Sequence, residues 1–408
     1  MIAVGDALAH VCEAARVLDT QRVGLDAALG RVAAEDVVSG RAVPGAANSA
    51  MDGFAVRHAD LGTPPARLRI AAVEPAGTVV STPVAAGTAV KLFTGSVIPP
   101  GADTVVRVED TEERDGTVVV RVAPARGANV RAAGEDVAPG DVVVAAGTVL
   151  GPADVGVLAS VGRATVLVHQ RPRVAILSTG SELVEVDEPP GPGQVVNSNA
   201  YTLAAAVREA GADALVLPLV RDRRDEIDAR LADALRADVV LTSGGVSVGE
   251  LDLVKDALAT RGVEQVFWKV AQKPGKPLAF GRLGGRLVFG LPGNPVSALV
   301  CFYVYVRPAL RRMQGHQRIH LPWVPATLAR ATRKARGLTE FVRVRLADGA
   351  DGPVATPVAS QSSGVLTGLG SGAALLVGPA GEDELRAGVR YPTILLGAGA
   401  LERDSAAF

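Results

Sequence analysis

A chain of 408 residues is too long for one hydrophobic core and has the length of two to four domains. Its 42 basic and 43 acidic side chains nearly cancel, which argues against nucleic acid or an anionic membrane surface as the main partner. Two cysteines, Cys12 and Cys301, and five histidines without metal-ligand spacing provide neither a disulfide framework nor a zinc site, so a bound metal would be held by oxygen, which suits magnesium.

The N-terminus has no basic start followed by an apolar run. The longest apolar stretch, 296–306, is about half of the ~20 residues needed to cross a bilayer. A soluble cytoplasmic protein is the expectation. Residues 5–18 place apolar side chains at helical spacing, with Asp6 as the expected N-cap. A short helix is expected at 25–29, stopped by Gly30. From 44 to 138 the pattern becomes short β-rich runs (68–73, 89–93, 104–108, 117–122) punctuated by Gly and Pro, which predicts a small β domain. Residues 139–170 return to a different pattern, with a strand at 141–144 and a helix at 153–160. The β domain is therefore read as an insertion into a discontinuous domain made of 1–43 and 139–170.

Between 171 and 315 strands and helices alternate. Strands are expected at 174–177, 214–219, 239–242, 265–270 and 287–290. Helices are expected at 201–210, 225–236, 251–258 and 295–313. That succession predicts an open, mostly parallel sheet with helices on both faces and ligands outside the strand carboxyl ends. Residues 322–408 are β-like again and predict a barrel or sandwich. The whole is expected to be a multi-domain α/β and β chain.

The polar motifs gather at those carboxyl ends. Ser178-Thr179-Gly180-Ser181-Glu182 leaves a buried strand and offers hydroxyls, backbone amides and one carboxylate. It also suits an ordinary loop with N-capping hydroxyls. Ser243-Gly244-Gly245-Val246-Ser247-Val248-Gly249 lets backbone approach an anion closely, and Glu250 and Asp252 close that loop. Lys273-Pro274-Gly275-Lys276-Pro277 fixes two ammonium groups on a stiffened loop, suited to a small oxyanion or to plain solvation. Leu291-Pro292-Gly293-Asn294-Pro295 opens the last helix. In the β domain, Asp52 beside Gly53, Thr94 beside Gly95, and Asp136 after Gly134-Glu135 read either as Asx-type turns or as ligand-facing groups. His58, His169, His316 and His320 read as surface or loop residues. Together these residues point to an enzyme that handles a phosphorylated ligand through a divalent cation.

At these residues the chain resembles the MoeA family of molybdopterin molybdenumtransferases, which includes the C-terminal domain of gephyrin. The resemblance runs over nearly the whole chain in a specific order. It covers 48–55, Thr94-Gly95 with Pro100-Gly101-Ala102-Asp103, Asn129-Val130-Arg131 with Gly134-Glu135-Asp136, 178–183, 243–252, 273–277 and 291–297. It implies a molybdopterin-binding α/β domain at 171–315, an inserted β domain at 44–138, a discontinuous domain at 1–43 plus 139–170, and a C-terminal β barrel at 322–408. It implies insertion of molybdate into adenylylated molybdopterin with release of AMP, dependent on Mg2+. It further implies a homodimer whose sites lie between the α/β domain of one protomer and the β domain of the other. A molybdopterin adenylyltransferase and cofactor-accepting apoenzymes are the implied protein partners.

Carried over by position, Asp52, Thr94, Asp136, Glu182 and Asp252 are catalytic, with Glu182 and Asp252 at the metal. Ser181, Ser243, Gly244, Gly245, Ser247, Gly249, Asp222, Pro292 and Pro295 bind substrate. Lys273, Lys276, Arg343 and Ser363 meet molybdate. The chain departs from the family at Leu338, where the motif usually reads Gly-Arg-x-Glu-Phe, at Gly372-Ala373 in place of Ala-Asn, and at Phe54 in place of Tyr. The alternatives are an adenylyltransferase on the same α/β module and a molybdopterin-binding paralogue or scaffold with weak or no molybdate insertion.

Overall fold

The structure is a computed structural model that describes residues 1–78, 83–244, 253–370 and 372–397. The chain forms two compact units, 22–168 and the remainder.

The larger unit is built on a six-stranded sheet in the order Asp213–Val216, Arg173–Ser178, Val239–Ser243, Arg286–Leu291, Ala279–Leu283, Glu264–Trp268. The first four strands are parallel, Ala279–Leu283 runs antiparallel to them, and Glu264–Trp268, antiparallel to Ala279–Leu283, runs with the first four again. Alternation sends successive side chains to opposite faces. Val174 and Ile176 join Leu203, Phe302 and Tyr305 on one face. Ala175 and Leu177 meet the cores built by the helices Arg224–Ala234 and Leu253–Thr260 on the other. Burial on both faces explains why these strands read as unbroken apolar runs. The N-terminal helix, Val4–Ala14, inserts Ala7 and Val11 into the first of these cores. Its N-cap is Ala3, with no side-chain cap, and Asp6 lies inside the first turn; the expectation that Asp6 caps is corrected. An acid in that turn still faces the positive end of the helix dipole.

The last helix of the α/β part runs from Pro295 to Met313 with a π-helical segment, Phe302–Val306, between the α-helical stretches Pro295–Cys301 and Arg307–Met313. Pro308 supplies the reason. It has no N–H to donate and its ring crowds the carbonyl four residues back, so the ladder widens just before it.

Downstream, five strands close on themselves: Thr339–Ala347, Val354–Pro357, Trp323–Leu328, Arg390–Leu395 and Ala373–Gly378, the last returning to the first. The barrel interior holds Leu328, Val342, Val344, Leu376 and Tyr391. Phe341 and Leu375 instead pack outward on Val296 and Val300, which seats the barrel against the start of the last helix.

The other unit contains a six-stranded sheet in the order Thr104–Arg107, Gly53–Val56, Thr88–Leu92, Ala66–Glu74, Thr117–Val120, Thr111–Arg114. Its Phe54 and Ala55 face opposite cores. In the same unit Val37–Val38 pairs with Val142–Val144, and the helix Pro152–Ser160 covers them through Leu158. Among the described residues no helix is long and apolar enough to cross a membrane.

Candidate active site

Four loops leave the carboxyl ends of the four neighbouring parallel strands in the larger unit and are stitched together there. Gly180 N–H donates to Val220 O at 3.2 Å, and Ser181 N–H donates to Asp222 Oδ2 at 3.0 Å. Asp222 N–H returns a bond to Ser181 Oγ at 3.3 Å, so the predicted residues Ser181 and Asp222 hold one another. Gly244 has φ +91°, and a Cβ there would lie 2.5 Å from Thr179 O, so only glycine fits. Asn199 bridges the other two loops, donating to Ser243 Oγ at 2.8 Å and Gly293 O at 2.7 Å. Sequence reading passed over Asn199. Its signal was Asn197-Ser198-Asn199 at a helix start, where Asn197 caps by accepting from Ala200 N–H.

Beneath these loops, Ser178 Oγ, Thr179 Oγ1, Thr242 Oγ1 and Asn199 Oδ1 are buried with no hydrogen-bond partner among the described residues. Glu182 is exposed and its carboxylate folds over Gly180, where a Cβ would come within 2.7 Å of Oε2. Gly245, Ser247, Gly249 and Asp252 lie outside the described residues, as does Glu250.

The lysine loop is held from below. Gln272 is buried and donates through Nε2 to Pro274 O at 3.1 Å and Gly275 O at 3.3 Å. Tyr305 donates its hydroxyl to Gln272 Oε1. Gly275 has φ +89°, and a Cβ there would sit 2.5 Å from Cys301 Sγ and 3.4 Å from Ser297 O. The Cys301 thiol is pushed up to about 12 by burial and is held as a packing group, not as a nucleophile. The strand Gln272–Lys273 adds to the barrel beside Thr339 and Glu340, and Lys273 Nζ pairs with the buried Glu340 Oε1 at 2.9 Å. Lys276 is exposed and forms no ion pair among the described residues.

The barrel adds Ser363. Its Oγ accepts from Asn294 Nδ2 at 3.0 Å and its carbonyl accepts from Val296 N–H at 3.1 Å. The lysine loop and the Ser363 loop therefore both touch the first turn of the last helix, which Pro295 begins two residues after Pro292-Gly293. Arg343 was expected to meet the anion directly. It is only 1% exposed and directs its guanidinium to the carbonyls of Ser360, Ser362 and Val365, so it presents nothing to solvent.

In the other unit Asp52 and Thr94 come together. Thr94 donates its backbone N–H (2.8 Å) and its hydroxyl (2.9 Å) to Asp52 Oδ1. The backbone N–H, then the hydroxyl, hold the Asp52 carboxyl below its ordinary range. Gly53 is required beside it, since a Cβ would lie 2.0 Å from Val106 O. Asp136 is exposed on the turn where its N–H donates to Val43 O, and its carboxylate makes no bond to Asp52. His316 corrects another expectation. It stands in a loop but is 5% exposed, and burial, then Arg311 and Arg307, push it down to about 4.

An open α/β sheet with a polar edge of glycine loops, a braced lysine loop and a barrel docked beside them defines a multidomain α/β protein of the class that binds ligands outside its strand carboxyl ends. Comparison with known proteins narrows the class. Residues 2–162 match the family described as "MoeA N-terminal region (domain I and II)", 175–312 the "Probable molybdopterin binding domain", and 325–396 the "MoeA C-terminal region (domain IV)". The chain is 41% identical to a molybdopterin molybdenumtransferase of Haemophilus influenzae over 79% of this chain and 80% of that one. It is 40% identical to molybdopterin molybdenumtransferase 2 of Mycobacterium tuberculosis over 82% of this chain and 85% of the relative. A crystal structure of the molybdopterin biosynthesis MoeA protein from Pyrococcus horikoshii OT3 superposes with a TM-score of 0.81 at 30% identity, covering 97% of this chain and 100% of that one. The chain belongs to the MoeA family.

Proposed function

We propose that the chain is a molybdopterin molybdenumtransferase that inserts molybdate into adenylylated molybdopterin and releases AMP in a magnesium-dependent step. The observation that carries this reading is one arrangement. An unpaired, exposed Lys276 stands on a loop braced by Gln272, and that loop and the Ser363 loop meet the same helix turn. A dianion such as molybdate needs fixed cations and donors where charge gathers, and a braced loop supplies them without reorganisation. The stitched loops at 178–182, 243–244 and 291–295 are the corresponding seat for the nucleotide and pterin parts, with Ser181, Asp222, Ser243 and Gly244 in contact with it.

The donor set suits Mg2+. Among the described residues no three or more His, Cys, Asp or Glu side chains form a metal cage. Magnesium needs only one or two carboxylates beside waters and substrate phosphates, and Glu182 offers two oxygens at the mouth of a glycine loop. Glu182 would hold it, with Asp252 as the second carboxylate by resemblance. Bound there, the ion would neutralise phosphate charge. Asp52, kept ionised by Thr94, is the acid the smaller unit contributes, with Asp136 as a second.

The same reading makes the protein a cytoplasmic homodimer, supplied by a molybdopterin adenylyltransferase and serving cofactor-accepting apoenzymes. A paralogue with weak insertion is the second reading, favoured by Leu338 where the family usually carries arginine. One assay separates them. Purified protein receives adenylylated molybdopterin, magnesium and molybdate, and AMP release and reactivation of a molybdenum-free apoenzyme are followed. Molybdate-dependent release with active cofactor supports the transferase. Nucleotide binding without either product supports the paralogue.

A further inference from the structure

The geometry points to Arg343 as a positioning residue, one that shapes the segment 358–366 so that Ser363 can offer its hydroxyl to the oxyanion. This rests on the transferase reading above. The guanidinium spends its fork on three carbonyls within six residues: Nη1 donates to Val365 O at 2.8 Å, and Nη2 to Ser360 O and Ser362 O, each at 2.9 Å. The backbone of Arg343 joins in. Its N–H donates to Gln361 Oε1 at 3.0 Å, while its carbonyl accepts from Gln361 Nε2 at 2.9 Å and Val358 N–H at 3.0 Å. Among the described residues no carboxylate pairs with it. A buried guanidinium compensated only by loop carbonyls is a costly way to stabilise a barrel and an effective way to dictate the path of one loop. A lysine, with a single point of charge, cannot reach three divergent carbonyls at once.

Ser363 sits at the end of that path. Its Oγ already accepts from Asn294, so the lone hydroxyl proton is left to donate outward. Its carbonyl is fixed by Val296 N–H, so the hydroxyl cannot drift without breaking the contact with the last helix. Gly368 provides an independent handle. A Cβ there would lie 3.1 Å from Arg343 Nη1 and press on the guanidinium without removing it.

The test uses full-length wild type, Arg343→Lys, Ser363→Ala and the double variant, with KM measured separately for molybdate and for adenylylated molybdopterin. Loss of one donated hydrogen bond predicts a rise of about tenfold in KM for molybdate in each single variant. KM for the nucleotide substrate stays within about twofold, and the double variant is no worse than the singles, because the two residues act through one hydroxyl. Equal rises in both KM values, or fully multiplicative effects in the double variant, would overturn the inference. Should Arg343→Lys fail to fold by thermal unfolding, Gly368→Ala takes its place, with the same selectivity and a smaller shift. Should the wild type itself release no AMP, the transferase reading has failed. Equilibrium dialysis of molybdate alone then decides: matched losses in Arg343→Lys and Ser363→Ala support the positioning role, and unchanged binding rejects it.

Discussion

Two regions of the larger unit treat buried polarity in opposite ways. Under the lysine loop Gln272 uses both ends of its amide, and Tyr305, Pro274 and Gly275 are all satisfied by it. At the strand carboxyl ends Ser178, Thr179, Thr242 and Asn199 each keep a buried oxygen that finds no partner among the described residues. Such orphaned atoms cost on the order of 1–3 kcal/mol each. The first region is therefore scaffold, selected for a fixed shape. The second carries a debt that a polar ligand would settle, which is where an active site is expected to depart from the rules that govern the core. Lys276 stands between the two: its carbonyl accepts from Val270 N–H at 2.9 Å, and its ammonium forms no ion pair among the described residues.

The largest effect that would sharpen this contrast is Gln272→Ala. It removes four hydrogen bonds, one of them to the Cys301 sulfur, and strands the buried Tyr305 hydroxyl, so a loss of about 3 kcal/mol is expected by chemical denaturation. A loss below about 1 kcal/mol would mean the loop holds its shape without the brace. Next comes Gly244→Ala, which combines φ +91° with a Cβ 2.5 Å from Thr179 O. About 2 kcal/mol is expected from strain of that kind, and an unchanged melting temperature would show that the loop relaxes freely.

Asp52 yields a smaller, pH-dependent effect. Its folded pKa lies below the unfolded one, so its contribution to stability is present above the unfolded value and is lost as pH falls through the folded value. Thr94→Val deletes only the hydroxyl, the lesser of the two causes. The Asp52 carboxyl-carbon titration followed by NMR should move part of the way back up, and an unmoved titration would contradict the pairing. Smallest in stability is Thr242→Val. Replacing an orphaned hydroxyl by a methyl of similar shape removes that cost, so stability should stay unchanged or rise by about 1 kcal/mol. A loss above about 1 kcal/mol would show that the hydroxyl is satisfied after all and would break the comparison.

Much of this arrangement was legible in the sequence, and the exceptions have physical causes. The continuous apolar runs at 174–177 and 239–242 announced strands buried on both faces, and the glycines at 180, 244 and 293 announced the loops at their ends. The strand Ala279–Leu283 escaped because it is short, follows Pro277 and contains Gly281; it is the one reversed strand in a sheet that is mostly parallel, as expected. The Asp52–Thr94 pair could be named only as two separate turns, since 42 residues separate the partners. Gln272 and Tyr305 gave no signal at all, because a side chain that holds a loop from inside the core has no local motif, while Glu340 stood only as one position of the Gly-Arg-x-Glu-Phe resemblance. Arg343 was named because it lies near the motif arginine that Leu338 replaces, and its role could not be read until its burial was known.

We propose above all that Lys276, which forms no ion pair among the described residues, meets molybdate, while Lys273 is held by Glu340. The most direct test is KM for molybdate in Lys276→Ala at saturating adenylylated molybdopterin and magnesium. A rise of about tenfold or more, with KM for the nucleotide substrate unchanged, is the result expected from losing one charge-assisted contact. A KM for molybdate equal to that of the wild type would contradict it and move the oxyanion away from this loop.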